Sequence, residues 1–335
     1  MQDRGVKISI IIPVYNGEKY ITNCLDSIRR QWNNQVEIII INDGSTDTSV
    51  DVIKKYQDKY QNKILIKIFS QDNSGQGAAR NAGIERASGT YVMFLDQDDT
   101  LVENVLSNML FSVENGDADI LIGGYQRVSD GVIKRKVRLQ QEEWSKYRIV
   151  APWGKIYRRD FLIKNSIRFM PVVLGEDIYF MLMSYCYNPK VIISKEIYYN
   201  WTDNKTSVSN TKHKKISRET SVLNLFTSVE CMPDINTLKE NSMYEYFLLK
   251  TAVWDILYTA FHNEAQDVLE NEKAIWTWME QNHPHYQHNP YLGLARPRGE
   301  AVGIRVLVWL YVKGIRWNVN EKILKMISKK KAETL

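Results

Sequence analysis

The stretch TYVMFLDQDDT, residues 90–100, runs an apolar, β-rich segment straight into three carboxylates, Asp96, Asp98 and Asp99. Like charges at that spacing repel, and desolvating an unpaired carboxylate costs several kcal/mol. At a strand end such a cluster is either a hydrated turn or a seat for a divalent cation. The rest of the chain has to decide between the two.

Around this stretch the first 125 residues alternate between two kinds of segment. ISIII (8–12), EIIII (37–41), ILIKIF (64–69), TYVMFL (90–95) and ADILIG (118–123) are short β-rich runs. Between them Ile21, Cys24, Leu25 and Ile28 repeat at helical spacing, and Val52, Ile53, Tyr56 and Tyr60 stripe a second helix. Apolar strands alternating with helices predict an α/β fold with a mostly parallel central sheet flanked by helices, and ligands bind at the carboxyl ends of such strands. Four of these ends are polar: PVYN (13–16), NDGS (42–45), QDNSGQG (71–77) and DQDD (96–99). Residues 126–215 are mixed and rich in Trp and Tyr, and 216–282 read as helices. The expected division is therefore 1–215, with its nucleotide-binding half at 1–125, and a helical region at 216–335 with a basic tail.

The chain has 335 residues, of which 44% are hydrophobic and 25% charged, a globular composition. A net charge of +5 argues against a dedicated nucleic-acid binder. Cys24, Cys186 and Cys231 form neither a disulfide framework nor a zinc pattern, which suits a reducing compartment. No cleavage-site pattern follows the short apolar run before Pro13, and no run of about 18 apolar residues occurs, so a cytoplasmic location is expected.

GSTDTS (44–49) offers Ser45, Thr46 or Asp47 as a helix cap, and Asp43 before it is an acceptor able to read an N–H edge of a base. DNSGQGAAR (72–80) joins glycines to a helix start, where backbone N–H groups favour phosphate oxygens, and Arg80 is placed to meet a pyrophosphate. GEDIYF (175–180) puts Glu176 and Asp177 at a helix start, where acidic residues also satisfy the macrodipole.

Taken in order, PVYNGEKY (13–20), NDGSTDTS (42–49), NSGQGAARNAGIERASG (73–89), FLDQDD (94–99) and GEDIYF resemble the family-two glycosyltransferases with the GT-A nucleotide-sugar fold, of the bacterial capsule, exopolysaccharide or surface-glycan type. The resemblance covers roughly the first two-thirds of the chain and implies a donor that is a UDP-sugar. It implies that Asp98 ligates Mn²⁺ or Mg²⁺, that Asp96 and Gln97 lie against the donor, and that Asp99 is structural. Pro13 and Tyr15 would form the uracil edge, with Asp43 accepting from the base. Asp177 would be the general base of an inverting transfer, with Glu176 beside the acceptor. Trp153 in PWGKIYRRDFL, or Trp144, would floor an acceptor sugar. YYNWTDNKTSVSN (198–210) sits where relatives keep a lid over the diphosphate. Lys205, Ser207 and Lys212 are candidates there, and His213 is a candidate to complete the metal shell.

No Gln-x-x-Arg-Trp motif follows Asp177, so a single sugar per encounter is expected, added to a glycan acceptor on a lipid carrier or, alternatively, on a surface protein or teichoic acid. A sugar nucleotidyltransferase and a non-catalytic sugar-nucleotide scaffold are the competing classes; neither requires the whole motif set. His283, His285 and His288 read as a solvated loop, since Pro284 breaks any helical spacing. AVGIRVLVWLYVKGIRW (301–317) and the lysines after it suit an interfacial helix on an anionic leaflet, through residues 301–331. A helix packed on the enzyme body or at a homo-oligomer interface is the alternative.

Overall fold

A computed structural model describes residues 5–170, 175–204, 215–216, 221–317 and 319–332, with the side chains of 316 and 329–332 left aside. The chain divides into two compact units. One comprises Met1–Pro171 with Glu176–Asn204, the other Val172–Gly175 with Lys205–Leu335.

The first unit is built on a nine-stranded sheet. Its strands are β1 (Ile8–Val14), β2 (Val36–Asp43), β3 (Leu65–Gln71), β4 (Tyr91–Phe94), β5 (Thr100–Leu101), β6 (Ile120–Ser129), β7 (Val132–Val137), β8 (Lys155–Arg158) and β9 (Val191–Thr202). The order is β3-β2-β1-β4-β8-β6-β9-β5, with β7 paired to β6. The helices are α1 (Ile21–Arg29), α2 (Ser49–Tyr60), α3 (Gln76–Arg86), α4 (Val105–Gly116), α5 (Ser145–Arg148), α6 (Arg159–Lys164) and α7 (Glu176–Cys186).

The first four strands pair in parallel, as their apolar runs predict. Every residue of β1 and β2 is buried, and each isoleucine so covered contributes about 1.5–3 kcal/mol. Beyond β4 the sheet is mixed, with β9 parallel to β6. β8 runs antiparallel to both β4 and β6, and β7 and β5 are also antiparallel to their neighbours. The reason lies in the sequence: β7 reads VIKRKV and is exposed except at Val137, so it joins β6 as a hairpin and does not enter a covered core. That hairpin turns on Asp130 and Gly131, both at positive φ (49° and 75°), the primed turn that two-residue loops prefer.

Because β1, β2, β3 and β4 are parallel, their carboxyl ends share one rim of the sheet. The chain crosses outward from β1 to β3 and returns to β4 on the other side of β1, which makes a switch point between β1 and β4. At Gly83 of α3 an added Cβ would lie 2.3 Å from Cγ2 of Ile11, so glycine lets α3 press onto β1 at this switch.

The second unit is helical: α8 (Val222–Glu230), α9 (Ile235–Lys239), α10 (Ser242–Ala260), α11 (Ala265–Asn282), α12 (Val302–Arg316) and α13 (Asn320–Ala332). Here one expectation is corrected. His285 and His288 are exposed, but His283 is buried. Its ring nitrogens lie 3.2 Å from Glu230 and 3.5 Å from Glu245, and Lys239 also pairs with Glu230. Burial opposes a charge on His283, but the two carboxylates outweigh it and raise its pKa. A pKa raised by folding stabilises fully below the unfolded value of about 6.5, and the contribution disappears as pH rises through the folded value. His283→Gln is therefore expected to lower the melting temperature more at about pH 6 than at about pH 9. Equal losses at both would mean that the ion pairs contribute nothing.

Candidate active site

The four polar strand ends interlock before any ligand is considered. Asn16 turns at positive φ after β1, and its Oδ1 accepts from the N–H groups of Thr46 (2.8 Å) and Asp47 (3.3 Å). The hydroxyl and N–H of Thr48 both donate to Glu18. The α2 start is served by Asp47, which accepts from the Ser49 N–H at 2.9 Å. Gln97 clamps the end of β1 at two points, accepting from the Tyr15 N–H (3.1 Å) and donating to the Tyr15 carbonyl (2.9 Å). Gly17 makes room for this clamp, since a Cβ there would meet the Gln97 amide at 2.1 Å. Gln97, expected against the donor, thus holds up Tyr15. Pro13 is buried in β1, whereas Tyr15 is 47% exposed on the rim.

Asp43 is buried at the end of β2. Its carboxylate accepts from Gln71 Nε2 (2.8 Å), the Ser74 N–H (2.9 Å) and the Gly75 N–H (2.9 Å). The N–H groups expected to favour phosphate at the start of α3 are therefore partly spent on Asp43. A carboxylate offers about four lone-pair sites, so Asp43 keeps one for a further donor.

Arg80 departs most from expectation. In place of a surface facing a pyrophosphate, the structure puts it at 1% exposure between two carboxylates. Nη2 donates to Asp96 Oδ1 (2.9 Å) and Nη1 to Asp177 Oδ1 (2.8 Å). Its guanidinium lies 5.2 Å from the Phe169 ring centroid, and Phe169 stacks on Phe180 with centroids 4.0 Å apart. Phe94 and Tyr157 complete this apolar layer. Gln76 Nε2 also donates to Asp96 Oδ1, at 2.9 Å. The strand-end carboxylate and the helix-start carboxylate are thus joined through one buried cation.

Asp98 and Asp99 have different surroundings. Asp99 is buried and accepts from the Tyr199 hydroxyl (2.7 Å) and the Thr202 N–H (2.7 Å), a structural role. Asp98 Oδ2 accepts from Asn204 Nδ2 at 2.9 Å. Burial, reinforced by neighbouring carboxylates, raises the pKa of both, the penalty a bound cation would relieve. Among the described residues no three His, Cys, Asp or Glu side chains converge on a metal position. The oxygen set that is present, Asp98 with Asp96, fits Mg²⁺ or Mn²⁺, which take one or two carboxylates and complete their shell with water and phosphate. Lys205, Ser207, Lys212 and His213 lie outside the described residues.

Asp177 opens α7 with 29% of its side chain exposed, so one edge is reachable while Arg80 holds the other. Burial raises its pKa, and Arg80 offsets part of that rise. Glu176 is pushed up to about 7, by burial first and then by the Asp177 charge. Lys155 was missed in the sequence. It is buried on β8, donates to the carbonyls of Ile149 (2.6 Å) and Ala151 (2.9 Å), and is pushed down to about 7 by burial against the pull of Asp177.

The aromatic expectations are corrected. Trp144 is 1% exposed and stacks on Tyr147, a core residue. Trp153 is 9% exposed and lies flat on Tyr199, centroids 4.5 Å apart and planes at 7°, so one face is covered. The open ring of this cluster is Trp201, at 36% exposure. A cavity of about 550 Å³, lined by Arg30, Thr100, Gln126 and Asn200 among others, adjoins the other face of β9; Gln126 donates to the paired Asn200 in its wall.

Comparison with known proteins places this arrangement. The model of Glycosyl transferase family 2 matches residues 9–171. That match takes in just under half of the chain. The glycosyltransferase GlyA of Streptococcus pneumoniae is 31% identical over 223 residues, 61% of this chain and 31% of that protein. A poly(ribitol-phosphate) beta-glucosyltransferase of Bacillus spizizenii is 34% identical over 203 residues, 58% of this chain and 32% of that protein. The aligned part is thus about a third of the length of these two curated relatives. Among solved structures, residues 1–349 of Staphylococcus aureus TarS, in complex with UDP-GlcNAc, superpose with a TM-score of 0.70 at 20% identity over 93% of this chain and 92% of that one. That likeness fixes the fold, a GT-A arrangement followed by helices. Asp177 lies just past the matched family 2 segment.

Proposed function

We propose that this chain transfers one sugar, with inversion, from a UDP-sugar to a hydroxyl of a glycan acceptor, with Asp177 as general base. The observation that carries the reading is the buried bridge by which Arg80 sets Asp177 beside the DQDD carboxylates. In the step, the acceptor oxygen attacks the anomeric carbon and its proton passes to Asp177. The bond from that carbon to the diphosphate breaks, and UDP departs with the electron pair. Arg80 fixes the orientation of Asp177 for that proton transfer. Tyr15 would stack on the uracil, and the remaining acceptor site on Asp43 would take its N–H. A divalent cation held by Asp98, with Asp96, would neutralise the charge that develops on the departing diphosphate.

The donor class is supported by the TarS complex with UDP-GlcNAc, and glucose, galactose or their N-acetyl forms are the candidates. Surface polysaccharide synthesis is the setting proposed, with a lipid-linked glycan or a teichoic-acid-like polymer as acceptor; the poly(ribitol-phosphate) relative favours the second. No described helix is long and apolar enough to cross a membrane. The second unit offers another attachment. Val308, Tyr311 and Val312 of α12 are buried, while Leu307, Leu310 and Trp317 are exposed, as are Val319, Ile323 and Met326. Residues 301–335 carry eight Lys or Arg against two Glu, a pattern suited to an anionic leaflet. Flotation on anionic vesicles should be lost on removing residues 296–335, and equal recovery would sink the idea.

The experiment that tests the main reading is UDP release from a panel of UDP-sugars with Mn²⁺, with Mg²⁺ and with chelator. Slow, cation-dependent hydrolysis of one donor, abolished by Asp98→Asn, is expected. Binding of no UDP-sugar would overturn it.

A further inference from the structure

The β6–β7 hairpin presents charge and aromatic surface in one register. Arg127 of β6 pairs with Arg135 of β7 on one side and with Trp201 of β9 on the other. Residues paired across a sheet share a face, so Arg135, Arg127 and Trp201 form one row. The adjacent row on that face, two residues or about 7 Å along the strands, is Val137, Tyr125 and Tyr199. Tyr199 reaches the acidic loop, since its hydroxyl donates to Asp99 and accepts from the Asp96 N–H. Trp153 stacks on Tyr199 and lies 6.2 Å from Trp201, centroid to centroid. A continuous aromatic stack therefore connects the DQDD carboxylates to an exposed indole, with Arg127 next to it in the row and Arg135 one strand beyond Arg127.

The cations on this face are accessible. Arg127 and Arg135 are both exposed, while Lys134 and Lys136 alternate to the opposite face of β7. Arg127 lies over Trp201 at 5.1 Å and contacts Asp203 through Nε, one of its five N–H groups. Asp130 at the turn and Asp203 are the acidic residues of this neighbourhood. Guanidinium forks match phosphate oxygens, and an indole face suits a sugar or polyol carbon skeleton. Two such forks in one row that ends on an indole fit a chain in which sugars or polyols alternate with phosphates.

We propose that the Arg135–Arg127–Trp201 row is the docking surface for an acceptor polymer carrying phosphodiester groups. The polyol or sugar units lie on Trp201 and the phosphates on the two arginines. This rests on the glycosyltransferase reading above and names its acceptor class.

The test uses the full chain, with a defined polyol-phosphate oligomer and its dephosphorylated neutral counterpart as probes. Binding is followed by tryptophan fluorescence, and UDP-sugar binding is measured on the same samples. Arg127→Gln with Arg135→Gln should weaken the charged oligomer about tenfold to hundredfold, the loss expected for one or two charged hydrogen bonds. The neutral oligomer should bind weakly and equally to both proteins. Lys54→Gln with Lys55→Gln, which removes the same charge from the exposed face of α2, should leave oligomer binding unchanged. Trp201→Ala should weaken both oligomers. Unchanged affinity in the double arginine variant, or equal affinity for charged and neutral oligomers in the parent, would overturn the proposal. So would loss of binding to anionic vesicles with oligomer binding intact, since the surface would then be a membrane patch. UDP-sugar binding that persists while the oligomer fails would sink the docking surface alone. Failure of UDP-sugar binding would sink the underlying reading.

Discussion

Asp177→Asn should lower transfer by about 10²–10⁴-fold while changing UDP-sugar affinity by less than about twofold. The amide keeps the shape of the carboxylate and its hydrogen-bond reach but cannot take a proton from the acceptor. Donor contacts are assigned to other strand ends, so binding has no reason to follow. Parallel titration of UDP-sugar and measurement of turnover in both proteins decides it; near-parental turnover would remove Asp177 from the chemistry. A pH dependence accompanies this. Asp177 must be ionised to act, and burial raises its pKa above the usual carboxylate value. Transfer should therefore fall as pH drops through a value higher than an exposed aspartate would give, and it should be lost on the acid side.

Arg80→Met should be the most damaging change to the fold of the first unit that leaves the strands themselves untouched. It removes the cation between Asp96 and Asp177 and leaves both carboxylates against the Phe169 and Phe180 layer. Breaking a buried pair in this way costs about 3–5 kcal/mol, and the lower end applies because both aspartates are partly open to solvent. For a unit of this size that is a fall of roughly 10 °C in melting temperature. Arg80→Lys should recover only part of it, since one ammonium cannot fork between two carboxylates. Thermal melts of the three proteins check the order. A methionine variant as stable as the parent would mean that water, not Arg80, compensates the two charges.

The sequence made some parts legible and hid others for physical reasons. The four parallel strands could be read because each is a largely apolar run ending in polar residues; β1, β2 and β4 are buried throughout, which demands that pattern. β5, β7 and β9 could not, because their residues are half-exposed or alternate irregularly, and β8, although buried, is only KIYR, four residues with a charge at each end. The DQDD and GED carboxylates announce themselves by clustering, but their partners do not. Nothing local in GAARN says that Arg80 will point inward to meet residues 96 and 177, since a buried arginine is specified by distant neighbours. Trp153 illustrates the converse: a tryptophan in a motif suggests a platform, whereas the stacking of Tyr199 upon it decides which face is available. His283 shows the same limit, because Glu230 and Glu245 reach it from other helices.

Tyr198 and Tyr199 are consecutive and point to opposite faces of β9, and only one of them serves the acidic loop. The choice is made where β6 and β9 slip register, between Ile122 and Tyr125. Gly123 and Gly124 occupy that slip; a Cβ on the first would strike the Tyr198 ring at 2.1 Å, and one on the second would strike the Val137 carbonyl at 2.2 Å. The two glycines act as a phase setting for the whole strand. A single-residue deletion anywhere from 191 to 198 would exchange the two tyrosines and turn Trp201 away from Arg127. Length variation among descendants of this sequence should therefore collect at the Asp130–Gly131 tip and be purged from β9, a footprint that drift alone would not leave.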